Sequence, residues 1–173
     1  ILAGVGAGIA AAMVVGAVNG IGIAYFGVSP FIMTLGVQSV GFGIALFVTG
    51  GVPVSGIPGD FGDVFGFGRM LGVPIPILIT AVVIGLFGLL LGRTALGNYF
   101  HAVGGNAKAA ALSGIDVQRV LMFAYLLCAA LVSIAGLLLT ARTNSGEANI
   151  GGNAALESIA ACVIGGVSLR GGV

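Results

Sequence analysis

Side chains able to do chemistry are scarce in this chain, and their spacing says as much as their number. The one histidine, His101, stands beside Tyr99 and Phe100. Without a Cys/His cluster it reads as an interfacial residue rather than a metal ligand. Cys128 and Cys162 lie 34 positions apart, with no Cys-x-x-Cys pair. Both sit in apolar runs, where buried small hydrophobes are expected, and no redox compartment follows from them. There is no Gly-rich loop ending in Gly-Lys-Ser/Thr, so the chain is not expected to bind ATP in the P-loop manner. The serines have no His/Asp setting. Five acids and six bases in 173 residues leave few groups for acid–base work. Nothing here points to an enzyme active site, a metal or a resident cofactor.

The polar residues instead gather in an island, Tyr99 to Ile115, between long uncharged runs. Asn106 is a good N-cap, Ala107 to Leu112 are mostly strong helix formers, and Gly114 can close the C-terminus in the left-handed conformation. About two turns of helix result, roughly 10–12 Å long. So short a helix is unstable alone and must pack against something.

The elements that position this island are apolar. The chain is 58% hydrophobic and 6% charged, against about 25% charged in soluble domains. No charged residue or histidine occurs from Ile1 to Gly59, between Arg69 and Arg93, or between Arg119 and Arg142. A bilayer span takes about 20 apolar residues. The chain is therefore an all-α, polytopic transmembrane helical bundle. Its net charge of +1 gives no reason to expect nucleic acid as a partner.

Spans are expected over residues 1–26, 31–49, 77–92 and 120–141. A short or re-entrant helix follows at about 154–169, broken by Gly165-Gly166. Ser29 is expected to cap the second span, with Pro30 as its first helical residue. In the first span Gly4 with Gly8, and Ala12 with Gly16 and Gly20, form small-x-x-x-small patterns that let helices approach closely in lipid. Gly4-Val5-Gly6-Ala7-Gly8 also has a faint look of a dinucleotide loop, but it lacks the strand before it and the acid after it, so packing is the better reading. Residues 50–76 form a Gly/Pro-rich loop and 142–153 a polar one. The loop of residues 93–119 carries Arg93, Lys108 and Arg119, whereas 50–76 carries only Arg69 beside two acids. The positive-inside rule then places the island in the cytoplasm, with the 50–76 and 142–153 loops outside. The absence of an initiator Met and the Gly-rich end suggest an internal piece of a longer protein, and the opening run is too long, with the wrong flanks, for a signal peptide.

No charge lies in the core of any long span, although proton- and ion-coupled transporters usually carry such groups. Transport, if it occurs, should then be powered from elsewhere. Such a loop has two readings. It is a connector lying on anionic membrane lipid through Lys108 and Arg119, or it is a helix that seats in a partner's groove.

A resemblance favours the second. Gly104-Gly105-Asn106-Ala107-Lys108-Ala109-Ala110-Ala111-Leu112-Ser113-Gly114-Ile115 resembles the cytoplasmic loop of bacterial ABC sugar-import permeases of the ribose/xylose/galactose type, where the pattern is close to Gly-Gly-Asn-Glu-Glu-Ala-Ala-Arg-Leu-Ser-Gly-Ile. Asn19-Gly20, then Pro30 to Gly36, Thr49 to Gly56 and Ile159 to Leu169 are similar to further segments of that family, in the same order. The resemblance implies an ABC importer permease fold in a bacterial inner membrane. It implies a second permease copy or a related permease, cytoplasmic ABC ATPase subunits that bind the ATP, and an extracytoplasmic sugar-binding protein. Gly104, Gly105, Asn106, Lys108, Ala110, Leu112 and Gly114 would form the ATPase-coupling loop. Asn19, Thr34, Gln38 and Ser39 are polar groups within spans. They either bond neighbouring helices and backbone or offer partners to sugar hydroxyls, with Gln38 the first choice because its amide both donates and accepts.

The sequence departs from the family pattern at Ala107-Lys108, where Glu-Glu is common, and at Ala111, where Arg is. Glu-Leu-Asp before the paired glycines is Ala155-Leu156-Glu157 here. The family continues past the Gly-Gly-x-Gly element, where this chain ends at Gly171-Gly172. Two alternatives remain: a permease for branched-chain amino acids or another small solute on the same fold, and a membrane structural protein with no transport role.

Overall fold

The computed structural model describes residues 2–70, 72–152 and 154–166. Val167 to Leu169 of the expected re-entrant segment, and the Gly171-Gly172 end, lie outside the described residues.

Long apolar runs without charge become long helix, even where single glycines fall inside them. Helix α1 is Leu2–Ala24, α2 is Pro30–Thr49, α4 is Ile75–Arg93 and α6 is Val117–Thr143. All four are long and apolar enough to cross a membrane. Between α2 and α4 lie a single helical turn, α3 (Gly59–Phe61), a π turn (Gly62–Gly66), and two short antiparallel strands, β1 (Arg69–Met70) and β2 (Val73–Pro74). The expected open loop of residues 50–76 is thus locally ordered. Helix α5 is Ala95–Leu112 and α7 is Ala154–Ile164, ending at Gly165 and Gly166. At the start of α2, Pro30 occupies the first helical turn as expected. Ser29 holds the cap position, but its side chain makes no capping bond.

The centre of the bundle is the antiparallel packing of α1 on α6. A Cβ placed on Gly16 would collide with the Ala129 side chain, and one on Gly20 would lie 2.6 Å from Met122 Sδ. Gly16, Gly20, Ile23 and Ala129 are buried accordingly. The expected close-approach motif is therefore present at Gly16 and Gly20. It is not present at Gly4 and Gly8, where an added Cβ would meet nothing within 4 Å. That half of α1 borders an open cleft with Leu137 and Thr140 of α6. Spacing alone cannot say which pair of small residues meets a neighbour.

Helix α6 has 27 residues, about 40 Å at 1.5 Å per residue, against a hydrocarbon core of about 30 Å. Both ends carry non-spanning pieces. At its start, Val120 joins Val103 and Ala110 of α5 in a small buried cluster. At its end, fully buried Ala141 lies under the π turn, where a Cβ on Gly66 would strike the Ala141 carbonyl. Reciprocal bonds, Val54 N–H to Gly146 O and Gly146 N–H to Val54 O, both 2.9 Å, tie the loop after α2 to the loop after α6.

Helices α2 and α4 bury no residue, and Phe47 is 89% exposed. In water this would be untenable. In a bilayer an apolar side chain gains nothing from choosing protein over lipid. The same reason corrects the expectation for the cysteines: Cys128 and Cys162 are exposed rather than buried.

Substituting Gly16→Val is expected to destabilise the full-length protein by about 1–3 kcal/mol through overpacking against Ala129. Gly8→Val should leave stability within about 0.5 kcal/mol. Detergent-solubilised unfolding measured on both variants checks this, and equal losses would contradict the packing described.

Candidate functional site

The island is more helical than the sequence suggests. Thr94 turns sharply out of α4, its backbone extended at φ −114° and ψ 157°, and its Oγ1 accepts from Gly97 N–H at 3.3 Å. Close approach of the two helices leaves no room for a Cβ at Gly97, which would strike the Leu91 carbonyl. A helical segment then runs to Gly105, where the sequence predicts a loop. His101 belongs to it, and its Nδ1–H donates to Gly97 O at 2.8 Å. The ring is exposed, and among the described residues no group of three metal-ligating side chains gathers.

At Asn106 the backbone leaves the helical region (φ −156°, ψ 98°) and α5 breaks. Asn106 Oδ1 accepts from Lys108 N–H and Ala109 N–H, both at 3.1 Å. These are the second and third residues of a fresh helical turn, the geometry of an N-cap. The far end closes as a Schellman motif: Ile115 N–H reaches Ala110 O at 3.1 Å and Gly114 N–H reaches Ala111 O at 3.0 Å, with Gly114 at φ +83°. Ile115 packs against the Val103–Ala110–Val120 cluster, so the cap is anchored to α6. Asp116 caps α6 next, accepting from Arg119 N–H, and its other oxygen pairs with Arg119 Nε at 2.9 Å.

The result is a short helix with both ends satisfied and one side pinned. Ala110 is 4% exposed, whereas Leu112 is 91% exposed and Lys108 is also exposed. With 100° per residue, Lys108 and Leu112 point opposite to Ala110. Gly104 is half-buried, and Gly105 stands in open space.

The four polar candidates within spans do not form one group. Thr34 and Ser39 hydroxyls donate to their own helix, to Pro30 O at 2.8 Å and Leu35 O at 2.9 Å. Asn19 sits on the α1 face that carries Gly16 and Gly20. Its Oδ1 is buried with no hydrogen-bond partner among the described residues. Only Gln38 and Ser39 share a cavity. It is a cleft of ≈ 550 Å³ between α2 and the loop after α6, lined also by Leu35, Phe42, Ala148 and Gly151. Thr34 is not on this wall. Phe42 was missed by the sequence reading, although its i+4 spacing from Gln38 was a usable signal. Ala148 and Gly151 carried no signal, because only the fold brings their loop over α2.

A capped surface helix anchored on a bundle of apolar spans defines a helical membrane protein. The chain belongs to the family described as branched-chain amino acid transport system / permease component, which matches residues 1–173. It is 39% identical to the ribose import permease protein of Escherichia coli K12 over 174 aligned positions, covering 99% of this chain and 54% of that protein. It is 36% identical to the L-arabinose transport system permease protein of the same strain, over 90% of this chain and 47% of that one. Identity to the Haemophilus influenzae xylose transport system permease protein is 48% over 59% of this chain and 27% of that one. The chain thus spans about half the length of its ribose and arabinose relatives. No solved structure matches it significantly. The chain is an all-α membrane protein of this permease family.

Replacing Asn106 by Ala should destabilise the short helix by about 1 kcal/mol, and Gly114→Ala by about 1–2 kcal/mol, because a Cβ at positive φ is strained. Hydrogen exchange of the amides from Lys108 to Ser113 is expected to quicken in both. Unchanged protection would show that the caps do not hold the helix.

Proposed function

We propose that the full-length protein is the permease subunit of an ATP-binding cassette importer for a monosaccharide of the ribose, xylose or arabinose kind, in a bacterial inner membrane. The observation that carries this is the helix Ala107–Leu112, capped at both ends, anchored through Ala110 and free on the Lys108–Leu112 side. It is a stiff body suited to passing motion between a partner and the spans. The identity to sugar permeases over nearly the whole chain supports the solute class.

In this reading the island faces the cytoplasm and docks on ABC ATPase subunits, which bind the ATP. A second permease copy or related permease completes the pathway, and an extracytoplasmic binding protein delivers the sugar. ATP-driven closure of the ATPases favours one arrangement of the spans by contacting the helix differently in each. The chain itself performs no catalysis. The family description leaves branched-chain amino acids as the other reading. A deletion strain should lose uptake of labelled ribose, xylose or arabinose, and ATP depletion should abolish that uptake in the parent strain. Loss of leucine uptake alone would favour the amino-acid reading, and no change in any solute would end the transport reading.

Lys108 is the second residue of its helix, where the dipole disfavours a cation, so its charge calls for a compensating acidic groove on the ATPase. Lys108→Glu is expected to weaken assembly about tenfold, about 1.4 kcal/mol. Co-purification with the ATPase measures it, and an unchanged yield removes the acidic groove from the proposal.

A further inference from the structure

We propose that the cleft between α2 and the loop after α6 is a binding site for an uncharged, polyhydroxylated solute, with Gln38 and Phe42 as its specificity-determining side chains. The inference rests on the sugar-import reading and adds to it the place where the solute is held within the spans.

Gln38 is the ninth residue of the 20-residue helix α2, near the middle of a span. Its side chain is exposed, with no hydrogen bond to it among the described residues, unlike Thr34 and Ser39, which bond their own helix. An amide facing hydrocarbon without a partner is costly, so polar residues at that depth face protein or a water-filled space. Phe42 lies one helical turn further along the same face. An amide beside an aromatic ring suits a solute with hydroxyls on its edge and C–H groups on its faces. Across the cleft, Ala148, Gly151 and Gly152 bring backbone close without bulky side chains.

Two further features set the class of solute. The cleft of ≈ 550 Å³ falls in the usual range for small-molecule sites. Among the described residues, none of the side chains lining it is charged. A zwitterionic amino acid would leave a carboxylate and an ammonium unpaired there, which is strongly unfavourable, whereas a neutral sugar needs only hydrogen bonds. The loop that roofs the cleft is tied to the loop after α2 by the paired Val54–Gly146 bonds, so the roof is joined to the segment that follows the α2 wall.

The test uses the full-length permease, assembled with its ATPase and its sugar-binding protein in proteoliposomes, with all its cysteines, Cys128 and Cys162 among them, replaced by Ser. A single thiol is introduced as Ser39→Cys on the cleft wall, and separately as Met70→Cys on the exposed hairpin between α2 and α4 as a control. Each is treated with a membrane-impermeant maleimide, with ribose, xylose, arabinose or leucine present in turn. Ser39→Cys is expected to react, and one of the three sugars at about ten times its Kd should slow the reaction about tenfold. Leucine should give no protection, and Met70→Cys should react but show none with any solute. An unreactive Ser39→Cys, equal labelling with every solute, or protection by leucine alone would each overturn the proposal. Uptake of labelled sugar by the same proteoliposomes separates the two levels. Uptake without protection defeats this site and leaves the import reading standing, whereas uptake of no sugar defeats the import reading itself.

Discussion

The packing of Gly16 and Gly20 against α6 is the contact on which the rest of this structure depends. With no hydrophobic drive between helices in lipid, association needs surfaces that approach closely enough for dispersion to accumulate. Two missing side chains on α1 and the small Ala129 on α6 allow that approach. Helices α2 and α4 bury no residue, and α2 touches α1 where Met33 lies against Gly22. Helix α6 is therefore the mast of the fold. The island leans on its start through Val120, and the π turn leans on its end through Ala141.

This arrangement places the capped helix and the loop that roofs the cleft at opposite ends of one rigid element. The α5 break at Asn106 matters to that design. A continuous helix from Ala95 to Leu112 would have had to keep one direction. The break lets Ala107–Leu112 take its own direction while Ala110 and Ile115 keep it fastened to α6.

Polar groups in the spans follow the bilayer's demand that each find a partner. Thr34, Ser39, Thr49 and Thr80 all donate to the carbonyl four residues earlier. Gln38 and Asn19 depart from that rule in different ways. Gln38 opens onto a cleft, and Asn19 turns its Oδ1 into buried space on the α1 face that meets α6.

Local physics was legible in the sequence, and long-range geometry was not. Long apolar runs without a charge fixed the existence of the spans. Asn106 and Gly114 announced their caps because a cap depends on residues within one turn of it. Thr94 could have been read as a cap in the same way, and with it the helix before Asn106. By contrast, Gly4/Gly8 and Gly16/Gly20 have the same spacing, and only the tertiary structure decided that the second pair meets α6. It also decided that Cys128 and Cys162 are exposed, and that Phe42 shares a cleft with Gly151. Each of those outcomes depends on which surfaces meet across more than a hundred residues of chain, and in a bilayer apolar pattern cannot settle that, because lipid satisfies an apolar face as well as protein does.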